Sequence, residues 1–129
     1  MHAIRFPWPD KALSPNSRTD RRATTGIRKN YREAWWALSK QNRIDLPENA
    51  HLSITFHPPD KRKRDLDNML GAIKYGLDGL ALATCGDDYG WSLSIRRGSE
   101  VHGGAVVLRV GQEDARIIPV LGTINESDK

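Results

Sequence analysis

Two carboxylates separated by a single residue, Asp65 and Asp67, are the side chains in this chain best suited to chemistry. Side chains at i and i+2 of an extended segment point to the same side, so both can converge on a hard cation such as Mg2+. A further acidic pair, Asp87-Asp88, follows about one helix length later. A second interpretation stays open, in which Asp67 or Asn68 only caps a helix and Asp65 pairs with a neighbouring arginine.

A basic segment directly precedes these carboxylates, and it belongs to a wider charge asymmetry. Residues 1–64 contain 14 Lys and Arg against 6 Asp and Glu, whereas residues 65–129 contain 6 against 10, so the net charge of +4 hides two opposite halves. Basic surfaces attract phosphates and make nucleic-acid affinity depend on salt. A solvated basic surface that binds nothing is the alternative. The side chains predicted to contact DNA are Arg21, Arg22, Arg28, Lys61, Arg62, Lys63 and Arg64.

A lysine follows the carboxylates at helical spacing. Lys74 lies seven residues after Asp67, and seven residues of continuous α-helix return to within about 20° of the starting direction. Helical side chains slant towards the N-terminus, so Lys74 is predicted to reach back towards Asp65 and Asp67. An ion pair with Asp78 at i+4 is its alternative role, and the two roles are compatible.

Short strands and two helices must position these residues. Apolar residues at helical spacing, centred on Trp35, predict a helix that begins near Asp20, and a second apolar helical face spans residues 69–80. Alternating patterns predict strands at 2–6, 50–57 and 91–95, and an apolar run predicts a more buried strand at 105–110. The predicted fold is α+β, a two-layer sandwich of a four-stranded mixed sheet with two helices, in the order β-α-β-α-β-β.

Composition limits the other possibilities. We predict one domain over residues 1–110 and a partly disordered C-terminal tail over 111–129. The longest apolar stretch is far shorter than the roughly 20 residues of a spanning helix, and no secretory signal is apparent at the N-terminus. With Cys85 as its single cysteine the chain has no intramolecular disulfide, and its four histidines show no paired metal-ligand spacing. These features predict a cytoplasmic protein without membrane contact.

Three tryptophans divide into different predicted roles. Trp35 belongs to the apolar stripe of the first helix and is predicted to be core. Trp36, one step around that helix, is a candidate contact for a partner subunit, as is the exposed face of the 105–110 strand. Trp8 lies between two prolines and could either stack against an unpaired base or support the site.

An ordered set of motifs resembles one known family. Pro58-Pro59, the basic segment, the run from Arg64 to Asn68, a helical lysine and then Asp87-Asp88 together resemble the RusA-type crossover-junction endodeoxyribonucleases, which resolve four-way DNA junctions. The Pro-rich segment 7–16 is also similar to that family's entry to its first helix. The resemblance spans most of residues 4–110. It implies a homodimeric, bacterial or phage-encoded nuclease that uses Mg2+, with Mn2+ as a substitute.

The resemblance also implies roles for particular residues. Asp65, Asp67 and Asp88 would bind the metal, with Asp88 preferred over Asp87 because the family uses the second member of this pair. Lys74 would assist catalysis by stabilising the transition state or orienting the attacking water. In the best-known form of the family the lysine comes one turn after the second motif aspartate, where this chain has Gly71. We interpret the displacement to Lys74 as a short helical insertion.

Hypotheses from different classes remain open. The first is a metal-dependent junction nuclease, in which carboxylate-held Mg2+ activates water so that no protein nucleophile is required. The second is a non-catalytic basic DNA-binding protein whose acidic residues only cap helices and balance arginines. A metal nuclease for other branched or single-stranded DNA is a third. Metal-dependent nicking of a four-way junction separates the first from the second.

Overall fold

The computed structural model describes residues 3–110, and this part of the chain forms an α+β fold, as predicted. The predicted tail over 111–129 lies outside the described residues. The elements, in chain order, are β1 Ala3–Phe6, a 3-10 helix Lys11–Leu13, α1 Arg21–Gln41, β2 His51–His57, α2 Leu66–Ala72, α3 Lys74–Ala83, β3 Ser92–Arg97 and β4 Ala105–Val110.

The four strands form one mixed sheet in the order β1-β4-β2-β3. β4 pairs antiparallel with both β1 and β2, whereas β2 and β3 pair in parallel, with His51 opposite Ser92 and Phe56 opposite Arg97. Parallel neighbours require a long crossover, and the segment that carries the candidate site provides it. The acidic residues therefore lie along a connection that runs from the end of β2 back to the start of β3.

One face of the sheet forms the core, and the helices cover it. Leu52, Ile54 and Phe56 are buried, as their alternation predicts, and β1 and β4 add further apolar side chains to the same face. Trp35 of α1 is completely buried and stacks on Phe6, with ring centroids 3.9 Å apart. Aromatic contacts of this kind contribute beyond the area that they bury. The predicted stripe of the first helix is thus confirmed.

The two long helices approach unusually closely. A Cβ atom on Gly79 of α3 would lie 2.1 Å from the carbonyl oxygen of Arg32 in α1, and one on Gly76 would lie 2.4 Å from the Trp35 ring. Only glycine permits these contacts, because any other residue would place a side-chain carbon inside the neighbouring helix. α3 is thereby held directly against α1.

The second predicted helix is divided in two, so the prediction of a single continuous helix is wrong. Ile73 separates α2 from α3 with φ −97° and ψ 8°, and its N–H donates to Leu70 rather than to the residue four positions earlier. α2 packs Gly71 against Pro15, whereas α3 packs two glycines against α1. The break lets each piece align with its own neighbour, and tertiary packing here overrides helical periodicity.

Within residues 3–110, no helix is long and apolar enough to cross a membrane.

Candidate functional site

The loop before α2 is organised by an internal ion-pair cluster. The Asp60 carboxylate accepts hydrogen bonds from the Arg64 guanidinium and the Arg62 backbone N–H, both at 2.9 Å. These bonds hold the pKa of the Asp60 carboxyl below its ordinary value. The Arg64 side chain is only 19% exposed and also lies over the Trp8 ring at 5.7 Å. Arg64 therefore holds the loop in place, whereas the predicted DNA contacts Lys61, Arg62 and Lys63 are exposed.

Trp8 packs against this loop through Arg64 and against the sheet through Phe56. Its ring meets Phe56 edge-on at a centroid distance of 6.4 Å. Gly104, in a left-handed conformation with φ +74°, approaches so closely that a Cβ atom there would lie 2.8 Å from Trp8. Trp8 thus packs between the sheet and Arg64. Of the two roles left open by the sequence, these contacts favour support of the site.

The paired carboxylates are both exposed at the start of α2, but only Asp65 has an extended backbone. Asp67 lies in the first helical turn, so the extended segment assumed for the pair in the sequence argument is not what the structure has. Asp65 has the extended N-cap conformation, with φ −79° and ψ 143°, yet its side chain makes no capping hydrogen bond. Asp67 accepts only from the adjacent Asn68 N–H, at 3.0 Å. The neighbouring Arg64 pairs with Asp60, and the Asp65 carboxylate has no protein partner among the described residues. The alternative is therefore not what the structure has: Asp65 does not pair with an arginine, and the N-cap position is that of Asp65 rather than of Asp67 or Asn68.

A groove of about 590 Å3 is lined by Asp65 but not by Asp67. It runs between the Trp8–Ser14 segment, the basic loop and the side of α2 that carries Asn68, Met69 and Ala72, and it contains groups of both charges. The groove thus brings cationic side chains and the unpaired Asp65 carboxylate to one concave surface. Its polar and charged lining residues are Asp10, Lys11, Ser14, Asp60, Arg62, Lys63, Arg64, Asp65 and Asn68.

The third predicted metal ligand lies elsewhere in the chain. Asp65 follows the C-terminal end of β2, and the Arg97 side chain donates to the neighbouring Arg64 carbonyl at that end of the sheet. Asp88 precedes the N-terminal end of β3, where the Ser92 N–H donates to Ala50. Because β2 and β3 are parallel, Asp65 follows one end of this strand pair and Asp88 precedes the other end, and strands of this length span about 20 Å. No group of three or more His, Cys, Asp or Glu in residues 3–110 could hold one metal ion.

The acidic pair before β3 has divided roles. The Asp87 carboxylate accepts from the Tyr89 N–H at 2.9 Å and so closes the local turn. Asp88 uses only its backbone carbonyl, which accepts from Trp91. Burial and then the nearby Asp88 carboxylate raise the pKa of Asp78 on α3. The free side chain is thus that of Asp88, the member of the pair that the resemblance selects.

Lys74 is the first residue of α3, and it lines a hollow that is distinct from the groove beside Asp65. Since the helix is interrupted at Ile73, the argument that Lys74 and Asp67 share one continuous helical face no longer holds. The position where the resembled family has its lysine is Gly71, and a Cβ there would lie 2.5 Å from the Pro15 ring. The chain therefore has no room for a side chain at Gly71.

The remaining predicted DNA contacts belong to the start of α1. Arg21 and Arg22 are exposed in its first turn, and the half-buried Arg28 guanidinium lies over the Tyr75 ring at 5.4 Å. The sequence identified Arg28 as a basic residue but did not predict that it contacts Tyr75 of α3. No local pattern predicts that meeting, because 47 positions separate the two residues.

His51 and Cys85 make local contacts within the part of the chain that the structure describes. Both ring nitrogens of His51 contact serine hydroxyls of β3, at 2.7 and 2.9 Å, on the sheet face away from the helices. The Cys85 thiol donates to the Asp87 carbonyl. These contacts leave the acidic and basic residues around α2 and α3 as the candidate functional groups.

Comparison with known proteins adds ancestry but no activity. An uncharacterized protein of Xylella fastidiosa (strain Temecula1 / ATCC 700964) is 36% identical over 93 residues, which cover 68% of this chain and 61% of the relative. The match thus spans less than two thirds of that relative's length. No family model matches the chain.

Proposed function

We propose that this chain is a Mg2+-dependent nuclease that resolves four-way DNA junctions, as the RusA-type family that its motifs resemble does. The observation that carries the proposal is the pair of exposed carboxylates at Asp65 and Asp67, of which Asp65 neither caps its helix nor pairs with a cation. They closely follow three exposed basic side chains at residues 61–63, and Asp65 lines a groove. A phosphodiester substrate requires both kinds of group at one place.

The donor chemistry fits a magnesium ion. Carboxylate oxygens are the hard ligands that Mg2+ prefers, and the ion is usually held by one or two carboxylates together with substrate phosphates rather than by a closed protein cage. Asp65 and Asp67 would supply those carboxylates. When bound, the ion would lower the pKa of water and neutralise charge on the scissile phosphate. The exposed side chains of residues 61–63 would bind and orient the phosphates around it.

A homodimer would bring together the three predicted metal ligands that lie apart within one chain. Asp88 and the Asp65–Asp67 pair lie at opposite strand ends, so a two-fold arrangement in which one copy contributes Asp88 to the other's carboxylates would complete the predicted ligand set. A four-way junction itself has near two-fold symmetry, and paired nicks need two equivalent sites. Trp36, 44% exposed on α1 beside Lys40, is a candidate contact of such a dimer.

A second candidate function follows from the same separation. If Asp65, Asp67 and Asp88 never meet, the chain would be a non-catalytic basic DNA-binding protein. The ion pair of Asp60 with Arg64 favours this candidate, because here an acidic residue of the loop balances an arginine. A metal nuclease for other branched DNA remains the third candidate, and comparison of substrates separates it from the first. In each case we expect a cytoplasmic protein.

The test is cleavage of a synthetic four-way junction with and without Mg2+. Asp65→Asn, Asp67→Asn and Asp88→Asn are each expected to abolish cutting while preserving or strengthening junction binding, because the phosphate-attracting side chains remain. Asp45→Asn, an exposed acid away from the groove, is the matched control and should cut like the wild type. Tight metal-independent binding without nicking of any junction would establish the DNA-binding protein instead.

The dimer has its own test. Sedimentation should give a dimer at micromolar concentration, and mixing Asp65→Asn with Asp88→Asn protein should restore cleavage at one of the two composite sites. Restoration is expected because a mixed dimer contains one site with all three carboxylates intact. A monomer that makes paired cuts as fast as a covalently linked dimer would contradict this assembly.

A further inference from the structure

A second hollow, of about 360 Å3, lies between the start of α1, the loop that follows the 3-10 helix, and the junction of α2 with α3. Two cationic side chains line it, Arg28 and Lys74, and none of its lining residues is acidic. Its hydroxyl groups come from Ser14, Ser17, Thr19, Thr24 and Tyr75. The lining is therefore positive and rich in hydrogen-bond donors.

The surrounding contacts fix this chemistry in place. Arg28 lies with its guanidinium over the Tyr75 ring, which orients its planar face while leaving N–H groups at the edge. The Ser17 hydroxyl donates to the Thr19 hydroxyl at 2.9 Å and also accepts from the Thr19 N–H, so the loop is locally ordered. Lys74 is exposed and makes no ion pair within the described range.

Such a lining selects an anion with several acceptor oxygens. A guanidinium fork, an ammonium and hydroxyl donors together match a phosphate, which accepts from several directions. A divalent cation is disfavoured because the lining has no carboxylate. An extended apolar ligand is disfavoured by the two charges. The absence of any acidic lining residue also distinguishes this hollow from the mixed-charge groove beside Asp65.

The hollow and the groove are neighbours, since Ser14 lines both. We infer that the hollow is a subsite for a non-scissile backbone phosphate of the DNA strand, held by Arg28 and Lys74 next to the Asp65 groove. The placement beside a cleaved strand rests on the proposed function, whereas the capacity to bind phosphate does not. Lys74 is then a substrate-binding residue that positions the strand.

The experiment pairs a phosphate titration with junction binding. In 1H–15N spectra of the wild type, inorganic phosphate is expected to cause saturable shifts at Ser17, Thr19 and Gly71. The shifts should be lost in Arg28→Gln and in Lys74→Gln. They should persist in Lys29→Gln, whose exposed side chain adjoins Arg28 in sequence but does not line the hollow. Melting temperatures of all three variants establish that the fold is retained.

Junction affinity without metal supplies the second readout. Arg28→Gln and Lys74→Gln are each expected to weaken binding about tenfold, the size of a charged hydrogen bond partly screened by solvent. Each should reduce the salt dependence of log affinity by about 1, as expected when one phosphate is no longer neutralised. Lys29→Gln should change neither value. Since Lys74 is exposed, its variant remains informative even if Arg28→Gln unfolds.

Two results would overturn the subsite. One is phosphate shifts and salt dependence in Lys74→Gln that equal those of the wild type. The other is a loss of about 100-fold in single-turnover cleavage by Lys74→Gln with unchanged affinity, which would put Lys74 at the scissile phosphate. A chain that never nicks a junction but shows the phosphate shifts would refute only the proposed nuclease, and a chain that nicks without them would refute only the subsite.

Discussion

Replacing Gly79 by alanine is expected to destabilise the protein, whereas replacing Gly26 by alanine is expected to stabilise it. Both glycines lie inside helices, but their surroundings differ. A Cβ on Gly79 would lie 2.1 Å from the Arg32 carbonyl oxygen and 3.2 Å from the Trp36 nitrogen, both backbone atoms of α1. A Cβ on Gly26 would meet nothing within 4 Å. Gly26→Ala therefore measures helix propensity alone, whereas Gly79→Ala also measures the packing of α3 against α1.

The magnitude follows from these distances. Alanine is favoured over glycine by about 1 kcal/mol in a helix interior, and Gly26→Ala should show nearly all of this gain. At Gly79 the contact is about 1 Å too short, and a backbone carbonyl cannot rotate aside as a flexible side chain would. Overpacking of this kind costs about 1–3 kcal/mol or more. We expect a net loss of about 1–2 kcal/mol for Gly79→Ala.

Urea unfolding of the two variants and the wild type measures the difference. The midpoint should fall for Gly79→Ala and rise for Gly26→Ala, with unchanged slopes, since neither substitution alters the surface exposed on unfolding. The two variants should differ by about 2–3 kcal/mol in unfolding free energy. A Gly79→Ala protein as stable as Gly26→Ala would refute the close approach of α3 to α1.

Three other predictions concern the site, the core and the basic loop. Gly71→Lys is expected to lower stability by about 1–3 kcal/mol through its clash with the Pro15 ring, and a smaller loss in a Pro15→Ala background, measured by a double-mutant cycle, would verify the cause. Burial raises the pKa of Tyr31 above its ordinary value of 10.0, so the unfolded chain releases this proton first as pH rises. The unfolding free energy should therefore fall with pH above about 10 more steeply in the wild type than in Tyr31→Phe, by up to about 1.4 kcal/mol per pH unit, and equal slopes would contradict it. Replacing Lys61 and Lys63 by glutamine should leave the melting temperature unchanged and reduce the salt dependence of junction affinity by about 0.9 for each phosphate that the loop no longer neutralises, whereas an unchanged dependence would remove both from the interface.

The periodic elements were predictable because their signal is local. Apolar spacing in α1 placed Tyr31 and Trp35 on one face, and both are buried. Alternation in β2 placed its three apolar side chains on the core face in the same way. The alternation at 91–95 predicted a strand, and β3 follows it, but the position of β3 at the sheet edge leaves Leu93 38% exposed. Strand position within the sheet has no local signature.

The candidate site was only partly predictable for the same reason. The Asp65–Asp67 pair is a local feature, and its place at the start of a helix follows from the sequence around it. The position of Asp88 depends instead on the parallel pairing of β2 with β3, which puts the two ends of the crossover at opposite strand ends. A sequence motif records the order of residues along the chain but not the direction in which the chain returns.

The sequence alone therefore determined the fold class, the core faces of its main helix and central strand, and the residues that could do chemistry. Periodicity and composition are properties of neighbouring residues, and they act before any distant contact forms. Only the tertiary structure decided that Arg64 is held by Asp60 and Trp8, that the helix breaks at Ile73, and that Arg28 meets Tyr75. Apart from the Arg64–Asp60 pair, these outcomes depend on packing between segments far apart in sequence, whose energies no local pattern contains.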